Sequence, residues 1–315
     1  MSTEHRIATI DIGTNTVLLL VASWKEGTLV PIYQEQQFAR LGEGVNNTGR
    51  LKPEAIQRVV RVLQRYKKKA NQLKARVVSV AATSAARDAA NQHELIEQVH
   101  AHTGWSVDIL SGEEEAYWSF VGTLSMVPAM RQKPVTVLDI GGGSTEVISG
   151  VFDGLGRTSI HHAISLNVGA VRLTEQFSLV CPPSSEVLKA VEHEIVRQLF
   201  LELKGLSTKY LVGAAGTITA LAMLVLNLSD PQAISLDFEL PISTVYHWQK
   251  RLSMLSEEEI LALNPEAMRG RSDVFLTGVL ILKHVMEIGA FATCRVSSGG
   301  LRHGLVYRYM ENKRQ

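Results

Sequence analysis

Two glycine-containing turns hold the residue types that phosphate and divalent-metal chemistry need. The stronger is Asp139-Ile-Gly-Gly-Gly-Ser-Thr-Glu146. Lacking Cβ atoms, Gly141, Gly142 and Gly143 let backbone amides approach an anion closely. The hydroxyls of Ser144 and Thr145 add donors. Asp139 and Glu146 supply hard oxygen ligands that suit Mg²⁺ or another divalent cation, directly or through water. A plain turn would need neither the glycine run nor the flanking carboxylates. The second turn, Asp11-Ile-Gly-Thr-Asn15, is weaker alone, because a strand followed by such residues can simply reverse direction. Its weight comes from its likeness to the first.

Other polar residues are less decided by their spacing. Ser111-Gly-Glu-Glu-Glu115 sets Glu114 three residues after serine, a capping-box pattern that accounts for one glutamate structurally. Ser256-Glu-Glu-Glu259 repeats it at what reads as an ordinary helix start, so the run by itself promotes none of the glutamates to catalysis. Arg87 follows the small-residue turn Ala81–Ala85 and could grip phosphate with its planar fork. Arg40, Arg269, Arg271 and Arg302 suit a surface or a phosphate equally well. His161-His162 and the pair His100/His102 lack helical partners at metal-binding spacing and read as solvated surface. No GxSxG or Cys–His arrangement offers a covalent nucleophile. Cys181 and Cys294 form no CxxC pair.

The elements that must carry the two turns repeat along the chain. Residues 7–21 and 135–149 each read as an apolar strand ending in Asp, a glycine turn and a second β-branched strand. Downstream of each comes another strand running into small residues, Ala81–Ala85 in the first half and Gly213–Thr217 in the second. Four loops in the same order imply a duplicated α/β unit with a cleft between the copies. Between the strands, a helix starts at Pro53, carries Ile56, Val59, Val60 and Leu63, and ends at the solvated run Lys67–Lys69. Another starts near Ser184, carries Leu188, Val191, Ile195 and Leu199, and stops at Gly205. The stretch Thr123–Lys133, before Pro134, is the expected connection. This divides the chain into residues 1–124 and 125–300, with a helix over about 301–315 expected to pack back on the first domain.

Composition sets the outer limits. The chain has 315 residues, 45% hydrophobic and 20% charged, with a formal net charge of +1. That is globular, and it lacks the basic excess of a protein that tracks nucleic acid. No signal-peptide pattern precedes Asp11. No apolar run approaches the roughly 20 residues of a membrane span. The longest candidate, Val274–Ile288, is broken by Lys283, His284 and Glu287. The expectation is a cytoplasmic protein with neither nucleic acid nor membrane as partner.

In order, the segments DIGTNT (11–16), ARLGEGV (39–45), ATSAARDA (82–89), ILSGEEEA (109–116), LDIGGGSTE (138–146), LNVGAVRLTE (166–175), VGAAGT (212–217), GRSDV (270–274) and SSGGLRHG (297–304) closely resemble the exopolyphosphatase / guanosine pentaphosphate phosphohydrolase family. The resemblance implies two ribonuclease-H-like domains of the actin-like ATPase superfamily with the site in their cleft. It implies Glu115 as general base for water and Arg87 as phosphate ligand beside it. Thr14, Asn15, Gly142, Gly143, Ser144 and Thr145 would hold phosphates, with Gly216 and Thr217 completing the opposite wall. Asp139 would be the Mg²⁺ residue, supported by Glu146. The implied substrate is inorganic polyphosphate or guanosine pentaphosphate, the implied partners are polyphosphate or guanosine penta- or tetraphosphate, and a homodimer is expected. Three positions depart from the family pattern. Tyr117 stands where arginine is usual after the EEA run, Ala214-Ala215 replaces a Gly-Ser pair, and no helical HD-like domain follows. The last departure favours short chains or a nucleotide. The first two motivate a rival reading as a low-turnover guanosine tetraphosphate-binding protein, and an actin-like ATPase or sugar kinase is the third.

Overall fold

Each half of the chain builds one mixed sheet on the same plan. The computed structural model describes residues 6–155 and 157–313. The first domain contains β1 (Arg6–Ile12), β2 (Thr16–Lys25), β3 (Thr28–Phe38), α1 (Val45–Thr48), α2 (Pro53–Gln72), β4 (Ala75–Ala82), α3 (Ser84–Asp88), α4 (Gln92–Thr103) and β5 (Asp108–Ile109). The helix α5 (Gly112–Ser125) follows. The second domain contains β6 (Val135–Ile140), β7 (Thr145–Phe152), β8 (Thr158–Leu166), α6 (Ala170–Gln176), α7 (Ser185–Leu203), β9 (Tyr210–Ala214), α8 (Ala215–Leu226), β10 (Glu239–Pro241), α9 (Ile242–Leu252), α10 (Glu257–Leu263), α11 (Pro265–Met268), α12 (Phe275–Ile288) and β11 (Thr293–Val296). The helix α13 (Leu301–Asn312) comes last.

The sheet orders are β3-β2-β1-β4-β5 and β10-β11-β9-β6-β7-β8. In each, an antiparallel hairpin (β1–β2, β6–β7) is extended by a third antiparallel strand and flanked by parallel strands (β4 and β5, β9 and β11). The expected duplication is therefore present as topology, with β10 an addition to the second sheet. These are the two ribonuclease-H-like α/β domains of the actin-like fold. β1 and β6 sit centrally, and their almost continuous apolar runs are buried, as strands covered on both faces require.

The helices follow local chemistry. Pro53 occupies the first turn of α2, and Ile56, Val59, Val60 and Leu63 form its buried stripe. α2 runs three residues past Lys69, whose ammonium sits over the Tyr33 ring. The Ser184 hydroxyl caps α7 by accepting from the Val187 amide. Each domain has its own core, and a third apolar cluster joins β1, β2, α5, β6, β7 and α13. There α13 lies against α5 so closely that a Cβ at Gly304 would overlap the Trp118 carbonyl, and one at Gly122 the Gly300 carbonyl. The connection between domains is shorter than expected. Thr123 and Leu124 still belong to α5, leaving residues 126–134 with a 3₁₀ turn at Pro128–Met130.

Candidate active site

Both hairpin turns open onto one cavity of about 560 Å³ between the domains. The second turn is shaped by where its carbonyls go. Gly141 O accepts from Ala170 N at 3.0 Å, and Gly142 O accepts from Val171 N at 2.8 Å and Arg172 N at 3.0 Å. The start of α6 thus takes up the loop's carbonyls. In a trans peptide the N–H points opposite to the C=O, so the Gly142 and Gly143 amides turn the other way. Neither donates to a protein acceptor among the described residues. In the first turn, Thr14 O accepts from Gly42 N at 2.9 Å, and Asn15 O accepts from Ala39 N and Arg40 N at 3.2 and 2.9 Å. The ARLGEG segment does for one loop what α6 does for the other. The loops also touch: a Cβ on Gly143 would lie 2.5 Å from Ser84 Oγ and 2.7 Å from Thr14 Oγ1. A Cβ there would have to push both hydroxyls aside.

Four carboxylates face the same space: Asp11, Glu115, Asp139 and Glu146. Asp11 is 9% exposed, Glu115 7% and Glu146 1%. Burial pushes Asp11 up to about 8, with the charges of Glu115 and Asp139 adding to it. Burial also pushes Glu115 up to about 7, against the opposing hydrogen bond and charge of Arg87. Asp139 is raised by burial despite the nearby Ser119 hydroxyl and Arg302. Glu146 is raised well above the usual range, by burial and then by Glu115 and Asp139, although it accepts from Ser144 Oγ and Ser165 Oγ, each at 2.7 Å. Four acids crowded into a low-dielectric pocket repel one another until a cation or protons arrive. Asp11 Oδ1 has no hydrogen-bond partner among the described residues. No three His, Cys, Asp or Glu side chains there are set to enclose a metal by themselves. Mg²⁺ held by one or two carboxylates, water and substrate oxygens fits that donor set.

Glu115 reaches the cavity because of its place on α5. Ser111 and Glu114 form a reciprocal capping box, with Ser111 N to Glu114 Oε2 at 3.0 Å and Glu114 N to Ser111 Oγ at 3.1 Å. Ser256 and Glu259 form the same box. Glu115, one residue further, turns inward and accepts from Arg87 Nη1 at 2.8 Å. Arg87 also donates to Leu110 O at 2.9 Å and is not itself a cavity-lining residue.

The cavity brings together Thr14, Asn15, Gly142, Gly143, Ser144, Gly216, Thr217, Asp139, Glu146 and Glu115. It leaves out Thr145. Strand alternation turns that side chain to the opposite face, where its buried hydroxyl donates to Val168 O. Tyr117 also points elsewhere and accepts from Thr158 Oγ1 at 3.0 Å. At the other departure, Ala215 lines the cavity with a left-handed φ of 66°. Asp11 was not singled out as a metal or catalytic residue from the sequence; its matching position to Asp139 was the available signal. Arg302, which the sequence left open between surface and phosphate, lines the cavity, with its charge acting on Asp11 and Asp139 and Nη2 donating to Gln34 Oε1 at 2.6 Å.

Comparison with known proteins identifies the family. The model of the Ppx/GppA phosphatase family matches residues 20–313. Exopolyphosphatase 2 of Mycobacterium tuberculosis is 31% identical over 294 residues, covering 89% of each chain. The bifunctional 3-dehydroquinate synthase/phosphatase of Fusobacterium nucleatum is 31% identical over 97% of this chain, which spans only 47% of that protein. The crystal structure of the Aquifex aeolicus Ppx/GppA family member superposes with a TM-score of 0.81 at 31% identity, covering 99% of both chains. With an ordered set of motifs, a duplicated fold and a family match along nearly its whole length, this chain belongs to the Ppx/GppA phosphatase family.

Proposed function

We propose that this chain, a phosphoanhydride hydrolase by family, removes the terminal phosphate of inorganic polyphosphate, with short chains preferred. The observation that carries the reading is the meeting of Glu115 with the two amide-bearing loops in one buried cavity. The Gly142, Gly143 and Asn15 amides, with the Thr14 and Ser144 hydroxyls, hold the terminal phosphate and fix it for in-line attack. Glu115 orients a water and takes its proton, and its raised pKa of about 7 makes it a competent base near neutrality. Arg87, paired with Glu115, keeps that carboxylate in place. Asp139 and Asp11, with Glu146 behind them, would hold the divalent cation; when bound it neutralises charge on the phosphate oxygens.

A second reading is favoured by the cavity's extent. It continues beyond the acids past Gly216 and Arg271 to Phe38 and Gln232, more room than a short phosphate chain fills. Guanosine pentaphosphate would place its nucleoside there. The test is Mg²⁺-dependent phosphate release from inorganic triphosphate, longer polyphosphates, guanosine pentaphosphate and ATP, measured side by side. Glu115→Gln serves as control, expected to lower turnover about 10²- to 10⁴-fold while retaining substrate binding. Preferential hydrolysis of ATP, or wild-type turnover by the control, would defeat the reading. Tight guanosine tetraphosphate binding with no release from any substrate would make the chain a sensor instead.

A further inference from the structure

Arg172 stands behind the Gly143 turn and does not line the main cavity. Its guanidinium is almost fully used. Nε donates to Gly143 O at 2.6 Å, Nη1 to Asn46 Oδ1 at 3.1 Å, and Nη2 to Ser84 Oγ at 3.4 Å and to Asp88 Oδ2. The side chain is 17% exposed. Asn46, Ser84 and Asp88 belong to the first domain, whereas Gly143 lies on the phosphate loop of the second. These groups surround a separate void of about 20 Å³.

The loop has three carbonyls in succession to place. The α6 amides take those of Gly141 and Gly142. Among the described residues, the Gly143 carbonyl has one donor, Arg172 Nε. Glycine tolerates either orientation of its following peptide, and no backbone hydrogen bond among the described residues holds this one. Turned one way, the plane offers the Ser144 amide to the cavity; turned the other, it offers a carbonyl dipole that repels phosphate.

We propose that Arg172 is a positioning residue that locks the Gly143–Ser144 peptide with its amide toward the phosphate, and that Asp88 holds Arg172 in place across the domain cleft. Closure of the domains and assembly of the anion-binding loop are then a single event. The proposal rests on the phosphate-holding role given above to this loop.

The test uses the full chain in the Glu115→Gln background, so that inorganic triphosphate with Mg²⁺ binds without turnover and calorimetry reads its affinity. Loss of a charge-assisted contact predicts about a tenfold or greater loss for Arg172→Met. Arg172→Lys keeps the charge but cannot span four acceptors, and it should fail similarly. Asp88→Asn, which removes only the anchor, should weaken binding by a smaller factor. Millimolar guanidinium added to Arg172→Ala should restore part of the affinity, which a packing role would not allow. Parent-like affinity in Arg172→Met, or full recovery in Arg172→Lys, overturns the proposal while leaving the function intact. A parent that fails to bind triphosphate overturns the loop's phosphate role and this inference with it.

Discussion

Replacing Arg87 by methionine should move the acid limb of the pH–rate profile. In the free protein Arg87 Nη1 lies 2.8 Å from Glu115 Oε2, and Glu115 is 7% exposed. The contact favours the ionised carboxylate and opposes the burial that lifts Glu115 to about 7. A hydrogen bond to a charged group is worth about 1.5–3 kcal/mol net. At about 1.4 kcal/mol per unit, removing it raises the Glu115 pKa by about one to two units. A base must be deprotonated to act, so activity appears as pH rises through that pKa. With the limb displaced to about 8–9, the ionised fraction at pH 7 falls about five- to fiftyfold. That loss is recovered in alkali. The assay is initial phosphate release at sub-saturating triphosphate from pH 6 to 10, because kcat/KM reports the free enzyme. Loss of a phosphate contact lowers the plateau, whereas loss of tuning moves the limb. A uniform drop with the limb still near 7 would refute the tuning.

Other perturbations reach different parts of the site. In metal-free protein, burial lifts Asp11 to about 8 and Glu115 to about 7, from ordinary values of 3.8 and 4.5. The folded state therefore binds more protons over that interval, and stability should fall as pH rises from about 5 to 8. Thermal melts with and without Mg²⁺ check this; the metal should flatten the slope, and a stability that rises with pH would contradict it. Ala215→Gly relieves the left-handed φ of 66° and should add about 0.5–1 kcal/mol in denaturant unfolding, with no gain arguing against strain there. Gly143→Ala forces a Cβ to within 2.5 Å of Ser84 Oγ. It should cost about 1–3 kcal/mol and weaken triphosphate binding in calorimetry; wild-type affinity would show that the loops can separate freely.

The hairpins were legible because each pairs an apolar strand ending in Asp-Ile-Gly with a second β-branched strand across a glycine turn, and the Asp139 loop declared its ligand class through its glycines. Glu115 was not legible from spacing. Ser111/Glu114 and Ser256/Glu259 form the same capping box, and the position after it is buried in both helices, as Glu115 in one and Ile260 in the other. Thr145 shows the reverse error. A hydroxyl in the right motif faced away because strand alternation assigns Ser144 and Glu146 to one side and Thr145 to the other. Arg172 and Arg302 act through partners more than 80 and 250 positions away, and no local pattern encodes such a meeting.

The close seating of α13 on α5 bears on how the chain reaches its active form during synthesis. Thr9 Oγ1 donates to Arg302 O across 293 positions, and the shared apolar cluster combines Ile7 with Leu305 and Tyr307. Closing a loop of that length costs about 5 kcal/mol of chain entropy, so the seat cannot form early. A nascent chain that has completed both sheets still carries the helix bearing Glu115 with one flank exposed. Only when the glycine face of α13 leaves the ribosome can that helix settle. The packing that holds the Glu115 helix is thus completed last, after both sheets exist.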